Sequence, residues 1–119
     1  MHIVRQNTEP RGPAQEIYIN GELTWEVISD NEMETNINTV LSDYITRTDK
    51  IDTIVNLAIS NRLYGVIIDF RGISDEHHFE RFLIELAPRL REIGIGTGVR
   101  LANHVNTDAI KNIVDYIVK

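Results

Sequence analysis

The sequence predicts an α/β fold built on a parallel sheet, and three observations carry that expectation. Apolar residues recur at helical spacing in two separate stretches, one before and one after Tyr64–Phe70. That segment (YGVIIDF) is a short, nearly continuous apolar run, which suits a parallel strand buried on both faces. Strand-like and helix-like segments then alternate along the chain, the pattern of βαβ units with right-handed crossovers.

Each element follows from local chemistry. Residues 1–15 are polar and hold all but one of the prolines, so they are expected to form a flexible N-terminal arm ahead of one domain over 16–119. Glu16–Ile19 alternates polar and apolar residues and runs into Asn20-Gly21, a turn signal. Leu23–Ile28 is β-prone, and Ser29-Asp30-Asn31 ends it. From Ser42 to Asn61 the period becomes helical, with Ile51, Ile54, Val55, Ala58 and Ile59 on one stripe and Ser42 or Asp43 as the cap. Ser74 is the expected cap of the next helix, with Asp75 and Glu76 in its first turn. Its apolar stripe is Phe79, Phe82, Leu83, Leu86 and Leu90; Pro88 predicts a kink and Gly94 a terminator. Ile95–Leu101 reads as a strand weakened by Gly96 and Gly98, Thr107–Ile113 as a short helix, and Tyr116–Val118 as a last strand. On this pattern alone, an open doubly wound sheet of flavodoxin type and part of a barrel are both allowed.

Composition narrows the functional classes. With 119 residues the chain fits one domain and can bury roughly two-thirds of its unfolded surface. A net charge of −6 argues against nonspecific nucleic-acid binding, which needs clustered cations. Arg81, Arg89 and Arg91 alternate with Glu80, Glu85 and Glu92, as on a solvated helix face. There is no cysteine, hence no disulfide framework or thiolate zinc site. No apolar run reaches signal-peptide or membrane-span length, so a soluble chain with no membrane partner is expected.

In either architecture, ligands bind beyond the C-terminal ends of the strands. That selects Ser29, Asp30 and Asn31, then Asp69 and Arg71, then Asn103 and His104. Asp69 and Arg71 share one face of their strand, with Ile67 beneath them. They read either as an ion pair closing the strand or as a ligand-facing polar pair. His77 and His78 are adjacent, point about 100° apart on a helix, and cannot chelate one metal. No metal and no cofactor are expected. Trp25 fits a core position or a sugar-stacking platform. Gly94–Gly98 lies before or within a strand and so fails the structural test for a phosphate loop.

The run Tyr64-Gly65-Val66-Ile67-Ile68-Asp69-Phe70-Arg71 resembles the family 18 glycoside hydrolase signature D-G-x-D-x-D-x-E, most of all its bacterial spore-cortex and cell-wall branch. The flanks DKIDTIVNLAISNRLYG, FLIELAPRLREIGI and IVDYIV are similar to that family's neighbouring elements, and the likeness spans Trp25 to Lys119. The resemblance implies about half of a (β/α)8 barrel, related to enzymes that cleave N-acetylglucosamine-containing wall polysaccharide. It implies an extracellular, cell-wall or spore setting. Asp69 matches the aspartate that orients the substrate's acetamido group, the internal nucleophile of this substrate-assisted class. Arg71 stands where the family has its catalytic glutamate, Ile67 where it has a middle aspartate, and Tyr64 where it has the first. Tyr64, Trp25, Asp30, Asn31 and Asn103 are the remaining candidate substrate contacts. A guanidinium stays protonated and cannot act as the general acid, so an inactive or sugar-binding domain is expected. A signalling or interaction module of flavodoxin type, with Asp69 as phosphoacceptor, is the alternative, and a barrel fragment without a function of its own is another. Half a barrel exposes sheet edges and an apolar face, which predicts self-association or a complementary barrel half as partner.

Overall fold

The chain order in the computed structural model is β1 (Gln15–Ile17), β2 (Trp25–Ser29), α1 (Ile37–Ser42), α2 (Tyr44–Ser60), β3 (Gly65–Asp69), α3 (Glu76–Glu92), β4 (Gly96–Val99), α4 (Thr107–Ile110) and β5 (Tyr116–Val118). The structure describes residues 14–17, 24–31, 35–101 and 107–118. The strands form one sheet in the order β1-β5-β4-β3-β2, with every neighbouring pair parallel. The expected parallel α/β architecture is therefore present. From β2 to β5 the order advances in one direction, and right-handed crossovers then lay successive helices on one face. That is how a segment of a barrel is built, although here the sheet is open.

Strand alternation divides the sheet accordingly. Ile28, Val66, Ile68, Phe70 and Val99 join the helix residues Leu41, Ile54, Ala58, Phe82, Leu86 and Leu90 in one core. Phe70 lies against Phe79 and Phe82, with ring centroids 6.1 and 5.5 Å away. This fixes the chain just after β3. The other face carries Trp25, Val27, Ile67 and Asp69, and among the described residues no helix covers it. No described helix is long and apolar enough to cross a membrane.

β1 lies beside β5, at the edge opposite β2, with Gln15 in register with Tyr116. The backbone N–H of Ala14 donates to the Lys111 carbonyl at 2.6 Å, in the turn between α4 and β5. The turn signal Asn20-Gly21 lies outside the described residues.

Both long helices form where the apolar stripes predicted, with corrections in detail. Of the two expected caps Asp43 is the one that caps α2, because Ser42 closes a further six-residue helix, α1, too short to show a period. Ile59 is exposed; it lies at the rim of the stripe, in the last turn before the chain leaves for β3. Asp75 rather than Ser74 caps α3, accepting the N–H groups of His77 and His78, while the Ser74 N–H goes to Asn38 Oδ1 at 2.8 Å. Pro88 lies inside α3, which runs from Glu76 to Glu92. Helices α2 and α3 end alike, with Leu63 N–H on the Ala58 carbonyl and Ile95 N–H on the Leu90 carbonyl. Gly94 supplies the left-handed residue in one motif, and Arg62, at φ 51°, in the other.

The arginine face is only partly solvated. Glu85 turns inward to receive Arg47 of α2, with Nε–Oε1 at 2.7 Å and Nη2–Oε2 at 3.2 Å. Arg47 is buried and also donates to the Leu41 carbonyl, tying α1, α2 and α3 together. Arg91 is held by Asp115 and the Ile113 carbonyl. Helical spacing located these charges but could not reveal partners on other elements.

Candidate functional site

The parallel register sets the end of β2 beside the end of β3, with Ser29 opposite Asp69. Beyond that line the chain turns, and two polar side chains hold the turn. Asp30 Oδ2 accepts the backbone N–H groups of Arg71 at 3.0 Å and Gly72 at 2.7 Å. Asn38, from α1, donates to the Gly72 carbonyl at 2.8 Å and accepts the N–H of Ser74. Asp30 therefore acts here as a brace for the backbone that carries Arg71. Its other oxygen, Oδ1, is buried without a hydrogen-bond partner among the described residues.

Alternation along β3 brings Asp69 and Arg71 to the same face, as expected. Arg71 Nε lies 2.7 Å from Asp69 Oδ1, a close ion contact without hydrogen-bond alignment. A second guanidinium completes the arrangement: Arg100 Nη1 donates to Asp69 Oδ2 at 3.3 Å. Arg100 follows β4, one step beyond the Ile68–Val99 pair, and its own N–H donates to the Ile68 carbonyl. The Asp69 side chain is largely enclosed at 18% exposure, whereas those of Arg71 and Arg100 are 51% and 33% exposed. Sequence reasoning missed Arg100. The available signal was parity, since Arg100 shares its strand face with Gly98, whose register partner is Ile67.

The other candidates divide between two ends of the sheet. Asn31 is exposed beside Asp30, its N–H bonded to Ser29 Oγ at 3.0 Å. Asn103 and His104 lie outside the described residues. Trp25 and Tyr64 do not join this group. Trp25 is level with Gly65 at the start of β2, four residues below the Ser29–Asp69 pair, or roughly 13 Å away along the strand. Its indole packs against Tyr64 and Tyr116, with centroids 5.3 and 5.5 Å away. It also lies so close over Gly65 that a Cβ there would come 2.5 Å from Cζ3. Trp25 is thus neither in the helix-facing core nor beside Asp69. A repeat of two in a strand fixes the face a residue shares, and position along the strand fixes which end it serves.

Chemically, this end of the sheet offers a carboxylate clasped by two guanidinia and a second carboxylate committed to backbone amides. Among the described residues, no cluster of three or more His, Asp or Glu side chains could hold a metal ion.

No family model matches the chain, and no curated protein matches it. Among solved structures, the spore cortex-lytic enzyme SleL of Bacillus cereus is similar, with a TM-score of 0.67 and 22% sequence identity. The two share a fold. The alignment covers 79% of this chain and 25% of the enzyme, so the chain spans about a quarter of that enzyme's length.

Proposed function

We propose that the chain is a glycosidase-like domain of family 18 type that binds N-acetylglucosamine-containing wall glycan without hydrolysing it. The observation that carries this reading is Arg71, two residues beyond Asp69 on the strand edge where the resembling family bears its acid. Support for a wall glycan comes from the fold shared with a spore cortex-lytic enzyme. Support for inactivity is chemical. Departure of a glycosidic oxygen needs a proton from a group that titrates near working pH, which a guanidinium does not. The nearby carboxylate of Asp30 is turned toward the Arg71 and Gly72 amides. Asp69, the match to the acetamido-orienting aspartate, has each oxygen facing an arginine.

The test is to incubate the chain with chitooligosaccharides and with peptidoglycan, measuring binding and reducing ends together. Binding without product is the expected result for the wild type. Clear turnover would overturn the inactive assignment. General acids contribute roughly 10²–10⁴-fold, so Arg71→Glu is the variant in which slow hydrolysis would first become measurable.

Self-association belongs to the same proposal. Val27 and Tyr64 are each 44% exposed, and β2 has one partner strand among the described residues. Light scattering after size-exclusion chromatography should give a dimer or larger species at micromolar concentration. A clean monomer throughout would remove this element.

A further inference from the structure

Two guanidinia share the carboxylate of Asp69 at the end of β3, and their spare donors have a chemical consequence. Asp69 Oδ1 meets Arg71 Nε, and Oδ2 meets Arg100 Nη1. A guanidinium carries five N–H donors in one plane. Asp69 engages one nitrogen of each arginine, and among the described residues no other acceptor is bonded to either head group. Among those residues, Arg71 keeps both terminal nitrogens and Arg100 keeps Nε and Nη2 without a bonded acceptor. Both heads reach solvent, at 51% and 33% exposure, while the aspartate that pins them is largely enclosed. Asp30 makes no ion pair with either guanidinium; its Oδ2 accepts two backbone amides. Among the described residues the result is a pair of guanidinium forks tethered to one carboxylate, each with planar donors that Asp69 does not engage.

We propose that Arg71 and Arg100 form a subsite for a carboxylate of the bound glycan, so that the domain prefers an acidic wall polymer to neutral chitin. This deepens the proposed function and rests on it. Guanidinium and carboxylate match in geometry, and charge-assisted hydrogen bonds are about twice as strong as neutral ones. A neutral N-acetylglucosamine chain offers only hydroxyl and amide oxygens to the same donors. Peptidoglycan offers carboxylates from two alternative sources, the lactyl group of muramic acid residues that carry no stem peptide and, where the lactyl carboxyl is amidated, the stem peptide itself. Both present the planar anion that the two forks lack. Because Asp69 already holds the guanidinia in place, less side-chain freedom is lost on binding.

The experiment titrates the full chain calorimetrically with three probes: neutral chitotetraose, a peptide-free N-acetylglucosamine–muramic acid tetrasaccharide, and the same tetrasaccharide with stem peptides. At least one acidic probe should bind roughly tenfold more tightly than chitotetraose, and the preference should shrink as salt is raised. Preference for the peptide-free acidic probe assigns the lactyl carboxylate, and preference only for the stem-bearing probe assigns the peptide. Arg71→Gln and Arg100→Gln should each bring the acidic-to-neutral ratio close to one, with urea midpoints confirming that the variants fold. Arg81→Gln, an exposed arginine of α3, should keep the preference. Equal affinity for all three probes would overturn the subsite and leave the glycan-binding reading standing. Failure of every probe to bind would overturn both.

Discussion

Replacing Asp30 by alanine removes the oxygen that receives the Arg71 and Gly72 amides at 3.0 and 2.7 Å. Each contact is equivalent to a helix N-cap bond, in which a side-chain oxygen satisfies a free backbone N–H at about 0.5–2 kcal/mol. Arg71 and Gly72 are both exposed, so water can reach the released amides. That sets each bond near the middle of the range, giving a loss of about 2 kcal/mol for the pair. For a domain of this size the loss corresponds to a fall of roughly 8 °C in Tm. Asp30→Asn keeps one neutral acceptor but puts an amide nitrogen at the buried position where Oδ1 has no partner. It should lose about half as much as alanine. Urea unfolding followed by circular dichroism measures both, with the slope m expected to stay constant while the midpoint falls. An alanine variant with the wild-type midpoint, or an asparagine variant as weak as alanine, would refute the brace.

Other consequences are open to similar measurement. Arg47→Ala leaves Glu85 without its bidentate partner and should cost about 2–4 kcal/mol in urea unfolding, discounted for the 28% exposure of Glu85; Arg47→Met, which keeps the packing, should cost less than alanine. Arg62→Gly relieves a left-handed residue at the end of α2 and should stabilise the fold by roughly 0.5–1 kcal/mol, and a lower midpoint would contradict the end motif described for α2. The caps Asp43 and Asp75 contribute to acid stability. The Thr46 hydroxyl, then the Thr46 N–H, lowers Asp43; burial raises Asp75, but the His77 and His78 amides together outweigh it. Both lie below the ordinary aspartate value of 3.8 when folded. Their stabilisation is therefore full above that value and is lost as pH falls through the lower folded one. Urea midpoints should drop across this acid window, and the drop should be smaller in an Asp43→Asn, Asp75→Asn double variant; identical drops would count against the caps.

Much of the framework was legible in the sequence because it depends on near neighbours. The stripe Phe79, Phe82, Leu83, Leu86 and Leu90 is buried as a helical period requires, and Gly65–Asp69 forms the strand that its apolar run predicts. Parity alone placed Arg71 beside Asp69. What escaped depended on residues far apart in the chain. Six residues of α1 are too few to show a period, yet Asn38 from that helix anchors the turn after β3. Glu85 looked like one member of a solvated row until α2 brought Arg47 against it.

The sequence by itself determined that a carboxylate and an arginine would stand together at the end of a buried parallel strand, since strand periodicity is a local property. Only the tertiary structure decided what surrounds them. Sheet register brought Arg100 to the second oxygen of Asp69, turned Asp30 onto the backbone of Arg71, and left Trp25 and Tyr64 at the far end of the strands. Register arises from pairing between distant segments, and no local pattern specifies which residues it will set level with one another.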